Sequence, residues 1–255
     1  MDFFEHEGLR LAFRQDGDPA APAILLIHGF ASSMTVNWVD PGWVSTLTGA
    51  GYRTIAFDHR GHGFSDKPHD GAAYTPRKMA GDAAALLGHL GVSHAALFGY
   101  SMGARVSAYA AMATPELFPR LIFGGLGSGL VDGVGDWDPI AAALLAPSLD
   151  DVTDTKGRMF RAFADRTKSD RVALAACIQT SRVEPSREEV GRITQPTLIG
   201  VGTEDDIAGS AEELAALMPH ATAFAIPGRD HMLAVGDRRF KAEVLRFLEE
   251  TKALA

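Results

Sequence analysis

The sequence predicts an α/β protein, a mostly parallel, twisted sheet with helices on both faces and a small helical insertion late in the chain. Three observations carry the prediction. Continuous apolar runs of strand length, such as AILLIHG at 23–29 and HAALFG at 94–99, match strands buried on both faces. Helical patterns alternate with them, as crossover helices do between parallel strands. From about Leu130 to Ile193 the alternation stops, and three helix-like segments follow one another with no strand between them.

The elements read in order as follows. FFEHEG and LRLAFRQDG form an opening antiparallel hairpin that turns at Gly8. AILLIHG is the first buried strand, and YRTIAFDHRG repeats it after a short helix around Trp43 to Ala50. PRKMAGDAAALLGHLG opens with Pro76 and stops at Gly91, the punctuation of a helix. HAALFG is then a strand, SMGARVSAYAAMA a helix and RLIFGGLG a strand. The insertion carries WDPIAAALLAP, KGRMFRAFADRT and RVALAACIQ. The sheet resumes at QPTLIGVG, followed by the helix AEELAALMP, the strand ATAFAIPG and a closing helix from Arg238 to Leu254. Residues 1–129 and 194–255 therefore make the core, and 130–193 the insertion.

Composition narrows the function classes. The 255 residues are 46% hydrophobic and 22% charged, a globular balance with enough chain for one large domain. A net charge of −8 with no run of basic residues argues against a nucleic-acid partner. The single cysteine, Cys177, excludes an intramolecular disulfide, and its apolar helical flanks make it a buried, inert thiol. The acidic start MDFFEHEGLR lacks the pattern of a signal peptide, and the apolar stretches fall far short of the ~20 residues of a spanning helix. The expectation is a cytoplasmic protein with no membrane partner; the sequence is silent on oligomeric state.

In a doubly wound sheet, reacting groups sit in the loops at the carboxyl ends of the strands. Four loops and the turn after the last strand stand out here: His28-Gly29-Phe30; Asp58 to Asp66 (DHRGHGFSD); Gly99-Tyr100-Ser101-Met102-Gly103; Gly202-Thr203-Glu204-Asp205-Asp206-Ile207; and Pro227-Gly228-Arg229-Asp230-His231. Gly-x-Ser-x-Gly between a strand and a helix is a tight corner that exposes a nucleophile, although three fixed positions alone do not separate it from an ordinary turn. His59-x-x-His62 lacks a third ligand at matching spacing, so no metal is implied. No phosphate-binding glycine loop occurs, so no nucleotide cofactor is implied either.

Together these five motifs, in this order and over nearly the whole chain, resemble the α/β-hydrolase superfamily, in its serine-nucleophile, esterase-like branch. The resemblance implies a catalytic triad of Ser101, Asp205 and His231, the acid falling at Asp205 because the family pattern is Gly-x-x-Asp with an aliphatic residue, here Ile207, two positions on. It implies that His28, His59 and His62 shape the pocket, and that Asp58, Arg60 and Asp66 hold loops. It makes the insertion a helical cap, whose apolar residues Trp137, Leu144, Leu145, Phe160 and Phe163, with Phe30 of the core, are the expected substrate contacts. The backbone N–H groups of Phe30 and Met102 are the expected oxyanion donors.

The chemistry explains the residue types. A serine hydroxyl needs a base to accept its proton, histidine returns that proton to the leaving group, and a carboxylate fixes the histidine tautomer. The implied activity is hydrolysis of small to medium carboxylic esters through an acyl-enzyme, without a cofactor. The same triad serves lactonases and carbon–carbon bond hydrolases, and some slow-turnover ligand receptors of the family keep it. A serine at the elbow argues against the dehalogenase and epoxide-hydrolase branches, which place an aspartate there.

Overall fold

Apolar runs of four to six residues become the central strands, and their alternate side chains feed two separate cores. In the computed structural model, which describes residues 1–252, the strands are β1 (Asp2–His6), β2 (Leu9–Asp16), β3 (Ala23–Ile27), β4 (Arg53–Phe57), β5 (Ala96–Tyr100), β6 (Leu121–Gly124), β7 (Thr197–Gly202) and β8 (Ala221–Ile226). They form one sheet in the order β1-β2-β4-β3-β5-β6-β7-β8. β1 pairs with β2, and β2 with β4, antiparallel; every other pairing is parallel. The expected hairpin turns through Glu7 and Gly8, both at positive φ.

The helices are α1 (Trp43–Gly49), α2 (Pro76–His89), α3 (Met102–Ala113), α4 (Gly129–Asp132), α5 (Asp138–Leu145), α6 (Thr155–Arg166), α7 (Arg171–Thr180), α8 (Arg187–Gly191), α9 (Ala211–Ala215) and α10 (Arg238–Glu250). α1 and α10 share one core with Ile24 and Leu26 of β3 and with Phe98 of β5. α2 and α3 share the other with Leu25, Ile27 and Leu97. Side chains alternate across a strand, so one apolar run serves both faces. The closing helix ends at Glu250; the Leu254 end expected for it lies outside the described residues. No described helix is long and apolar enough to cross a membrane.

α4 to α8 lie between β6 and β7, and α5 packs against both α6 and α7. Asp154 and Asp170 accept backbone N–H groups at the starts of α6 and α7, so each helix opens with a side-chain cap.

The loops after β3 and β4 are tied together by buried polar groups. His28 Nε2 accepts the His59 N–H at 3.0 Å while its Nδ1 contacts the Gly29 carbonyl at 2.8 Å. His62 Nε2 accepts the Ala31 N–H at 3.1 Å, and its Nδ1 contacts the Arg60 carbonyl at 3.0 Å. Each ring thus accepts at Nε2 and donates from Nδ1, which fixes a neutral tautomer. Burial lowers the His28 ring to about 4 and the His62 ring to about 3, and holds His59 well below its ordinary value. Asp58 accepts from Met34 N–H at 2.7 Å and Phe64 N–H at 2.8 Å, and Arg60 is locked between Asp82 and Glu7. Asp58 and Arg60 thus hold loops as the resemblance implies, and Asp66 accepts the Arg10 N–H at 2.8 Å. The histidines, which the resemblance makes pocket-shaping, brace these same loops and do not line the cavity beside Ser101.

The three histidines make stability depend on pH. Above the ordinary histidine value of 6.5 they are neutral in both the native and the unfolded chain. Between 6.5 and about 4 the unfolded chain binds protons that the native cluster refuses, so stability falls as pH falls. Each histidine contributes a slope of up to roughly 1.4 kcal/mol per pH unit. Urea unfolding between pH 7.5 and 4.5 should show this fall, and His62→Gln should flatten it by about one proton. A flat profile in the parent, or an unchanged slope in the variant, would contradict the neutral cluster.

Candidate active site

Ser101 stands at the carboxyl end of β5, where the chain reverses into α3 with φ 55° and ψ −116°. Such a conformation costs about 1–3 kcal/mol and persists only where the surroundings enforce it. The flanking glycines allow the approach. A Cβ on Gly103 would lie 2.0 Å from the Ile27 carbonyl oxygen, and one on Gly99 would lie 2.3 Å from that of Gly103. The strand side is pinned by Ser101 N–H donating to the Gly124 carbonyl at 2.8 Å.

His231 follows β8 and Asp205 follows β7, so parallel neighbours bring both to the rim that holds Ser101. His231 Nε2 lies 2.9 Å from Ser101 Oγ, and His231 Nδ1 lies 2.8 Å from Asp205 Oδ2. Asp205 Oδ1 accepts the N–H groups of Ile207 at 2.9 Å and Ala208 at 3.0 Å. Burial alone would raise the Asp205 carboxyl, but the His231 hydrogen bond and charge and these two amides more than offset it and hold it below the ordinary range. An ionised Asp205 accepts from Nδ1–H, which leaves the Nε2 lone pair facing the serine hydroxyl.

The neighbouring carboxylates stand apart. Asp206 is exposed and, among the described residues, pairs only with Lys156, at 3.8 Å; Glu204 is also exposed. Tyr100, the second residue of the elbow, was not singled out from the sequence. Its hydroxyl donates to the His231 carbonyl at 2.6 Å, and burial pushes it well above its ordinary value, so it stays a donor. It thereby ties the histidine loop to the strand that carries the serine.

Phe30 follows Gly29, which approaches Ser101 closely, and Met102 follows Ser101 in the chain. A Cβ on Gly29 would lie only 3.4 Å from Ser101 Cβ, and Gly29 N–H donates to Asn37 Oδ1 at 3.0 Å. Met102 is the first residue of α3, where helix amides have no partner within the helix. Neither the Phe30 nor the Met102 N–H finds a protein acceptor among the described residues. Both are free to donate.

Ser101 and His231 open into a cavity of about 270 Å³. Its core side is formed by Gly29, Phe30, Asn37, Tyr100, Met232 and neighbouring residues, and its other side by Phe160, Phe163, Arg166 and Arg182 from the insertion. Of the substrate contacts expected from sequence, Phe30, Phe160 and Phe163 line it, and Trp137, Leu144 and Leu145 do not. Leu144 is fully buried in the core that the insertion shares, and Leu145 is 55% exposed. Adjacent helical residues point about 100° apart, so the pair could not share one face. Trp137 stands one layer back, its ring 5.7 Å from that of Phe160. Arg166 and Arg182 were missed because they sit in charged stretches that read as solvated. Cys177 is buried beside Met102, its thiol pushed up to about 12 by burial, and takes no part.

Comparison with known proteins agrees with this architecture. The sequence profile of the family described as "alpha/beta hydrolase fold" matches residues 22–150, just over half of the chain. An epoxide hydrolase of Caballeronia sordidicola is 38% identical over 117 residues, 46% of this chain and 34% of that protein. A 2-(acetamidomethylene)succinate hydrolase of Mesorhizobium japonicum is 37% identical over 114 residues, 45% of this chain and 38% of that one. The chain thus spans little more than a third of the length of these curated relatives. Among solved structures, a hydrolase from Pseudomonas aeruginosa superposes with a TM-score of 0.82 at 25% identity, covering 97% of each chain. The enol-lactonase of Burkholderia xenovorans LB400 has the same fold, with a TM-score of 0.79 at 23% identity over 97% of this chain and 100% of that one. The chain belongs to the α/β-hydrolase fold family.

Proposed function

We propose that the protein is a serine hydrolase that cleaves small to medium carboxylic esters through an acyl-enzyme on Ser101. The observation that carries this reading is the unbroken relay Asp205–His231–Ser101, with contacts of 2.8 and 2.9 Å, opening into the cavity. As Ser101 Oγ bonds to the ester carbonyl carbon, its proton passes to His231 Nε2, and Asp205 stabilises the imidazolium that forms. The carbonyl oxygen becomes an oxyanion that accepts the Phe30 and Met102 N–H groups. When the intermediate collapses, Nε2 returns the proton to the departing alkoxide. Water then repeats the sequence on the acyl-enzyme, releasing the acid and restoring Ser101.

An epoxide-hydrolase activity, which the name of the Caballeronia relative raises, finds no support at the elbow. In the family resemblance that branch carries an aspartate where this chain has Ser101. The small cavity favours a substrate of modest size. We propose residues 130–193 as the cap, with Phe160 and Phe163 as its contacts on the acyl group.

Ser101→Ala should abolish labelling by a fluorophosphonate and remove most hydrolysis of activated esters; full labelling of the variant would overturn the assignment. Asp205→Asn should lower kcat by several orders of magnitude, on the order of 10⁴ in the serine-protease precedent, and Asp206→Asn should do far less. A reversal of these two would place the acid at the wrong residue.

Acyl selectivity supplies a further test. Phe160→Ala or Phe163→Ala should shift the chain-length profile toward bulkier acyl groups, by about 1–3 kcal/mol per methylene accommodated, with labelling of Ser101 intact. Leu145→Ala should leave the profile where it is. An unaltered profile in both phenylalanine variants would remove the insertion from the acyl pocket.

A further inference from the structure

The cavity beside Ser101 holds a guanidinium with nothing to bind. Arg182 follows α7 and is half-buried, with its Nε enclosed and unpartnered. No carboxylate oxygen comes within 4.0 Å of it among the described residues, and no hydrogen bond joins it to another group there. Other buried arginines of this protein differ. Arg60 is taken up by Asp82 and Glu7, Arg105 by the carbonyls of Gly129, Leu130 and Val183, and Arg161 by Asp165 and two carbonyls of the α5 end.

What Arg182 does have is aromatic. Its guanidinium carbon lies 3.5 Å from the centroid of the Trp137 ring and 6.0 Å from that of Phe30. Stacking occupies the face of a guanidinium and leaves its N–H edge unspent. That edge is what binds a carboxylate through two parallel hydrogen bonds. Burial and the nearby Arg105 push the Arg182 guanidinium down to about 9, and Cys177 and Glu184 only partly oppose them. At the rim, Arg166 lies over Phe163 at 5.1 Å and adds a second positive charge to the same wall.

We propose that Arg182 is an anion-reading subsite of this cavity, so that the ester accepted is one whose short acyl chain ends in a carboxylate, a half-ester of a dicarboxylic acid. This rests on the serine-hydrolase reading for the reacting bond, but the carboxylate subsite can be measured without turnover. Trp137 holds the guanidinium by its face, Nε is enclosed, and the substrate carboxylate takes the edge formed by the two terminal nitrogens. The positioned charge excludes neutral acyl chains of equal length by leaving the cation desolvated and unpaired.

Two measurements separate the subsite from the chemistry. In the Ser101→Ala protein, calorimetry should show monomethyl glutarate binding at least about tenfold tighter than methyl pentanoate, the size expected of a charge-assisted pair. Arg182→Gln in that background should erase the difference, and Arg182→Lys should restore part of it. In the active enzyme, the ratio of kcat/KM for mono-nitrophenyl glutarate over nitrophenyl pentanoate should exceed one by a similar factor and collapse in Arg182→Gln. Preferential binding without any turnover would sink the hydrolase reading and leave the subsite standing. Turnover of both esters with equal binding of the two ligands would overturn the subsite. If Lys and Gln lose the preference alike while Tm drops in both, Arg182 is a packing residue and the inference fails.

Discussion

The reversal at Ser101 is the constraint on which the rest of the site depends. β5 is buried along its whole length between β3 and β6, and its last residue hands the chain to α3 within a single residue at positive φ. A left-handed serine is unfavourable by itself, so the corner exists because both flanks are held. β5 and α3 supply the apolar burial, and Gly99 and Gly103 let the two backbones meet. The residues of the proposed triad are then set by position relative to this corner. His231 and Asp205 come from the ends of neighbouring parallel strands, and Tyr100 carries the fixed geometry across to the histidine loop.

The loops opposite the elbow are held by a different device. His28, His62 and Asp58 are polar groups almost wholly removed from water, and each spends its hydrogen bonds on backbone atoms of the segment from Gly29 to Phe64. Burying them is unfavourable, which is why the histidine rings stay neutral. In return the loop bearing Phe30 is fixed although Ala31 sits at φ 58°, a conformation that a loose loop would abandon. If the Phe30 N–H is the oxyanion donor proposed above, this rigidity matters, because such a donor works best when it does not have to move to meet the developing charge.

The sheet and the grouping of Ser101, Asp205 and His231 were legible in the sequence because both rest on strong local signals. A strand buried on two faces is an unbroken apolar run, and a corner that tolerates no Cβ demands glycine at fixed offsets. Asp205 was separable from Glu204 and Asp206 only through the family pattern; locally the three are equivalent, and what distinguishes them is the distance to His231. The insertion was legible as helices but not as faces. Leu144 and Leu145 carry the same hydropathy, and only the packing of α5 against α6 and α7 sends one inward and the other to solvent. Arg182 was invisible for the opposite reason. An arginine in SRVEPSR looks solvated until the fold sets Trp137 against its face.

The two sides of the cavity therefore differ in kind. The core side offers groups whose positions are fixed by strand ends and buried loops: the serine, the histidine and the two unpaired backbone N–H groups of Phe30 and Met102, the proposed oxyanion donors. These suit a carbonyl of any identity. The insertion offers side chains, two phenylalanines and two arginines, that make no contribution to the reacting geometry. An aromatic wall discriminates gently, because one methylene more or less is worth only about 1–3 kcal/mol. A cation held against an aromatic face with its edge open discriminates more sharply, because the wrong substrate leaves it desolvated and unpaired. On the proposed reading, in which the sheet sets the reaction and the insertion the selectivity, the steepest preference would come from charge and not from chain length.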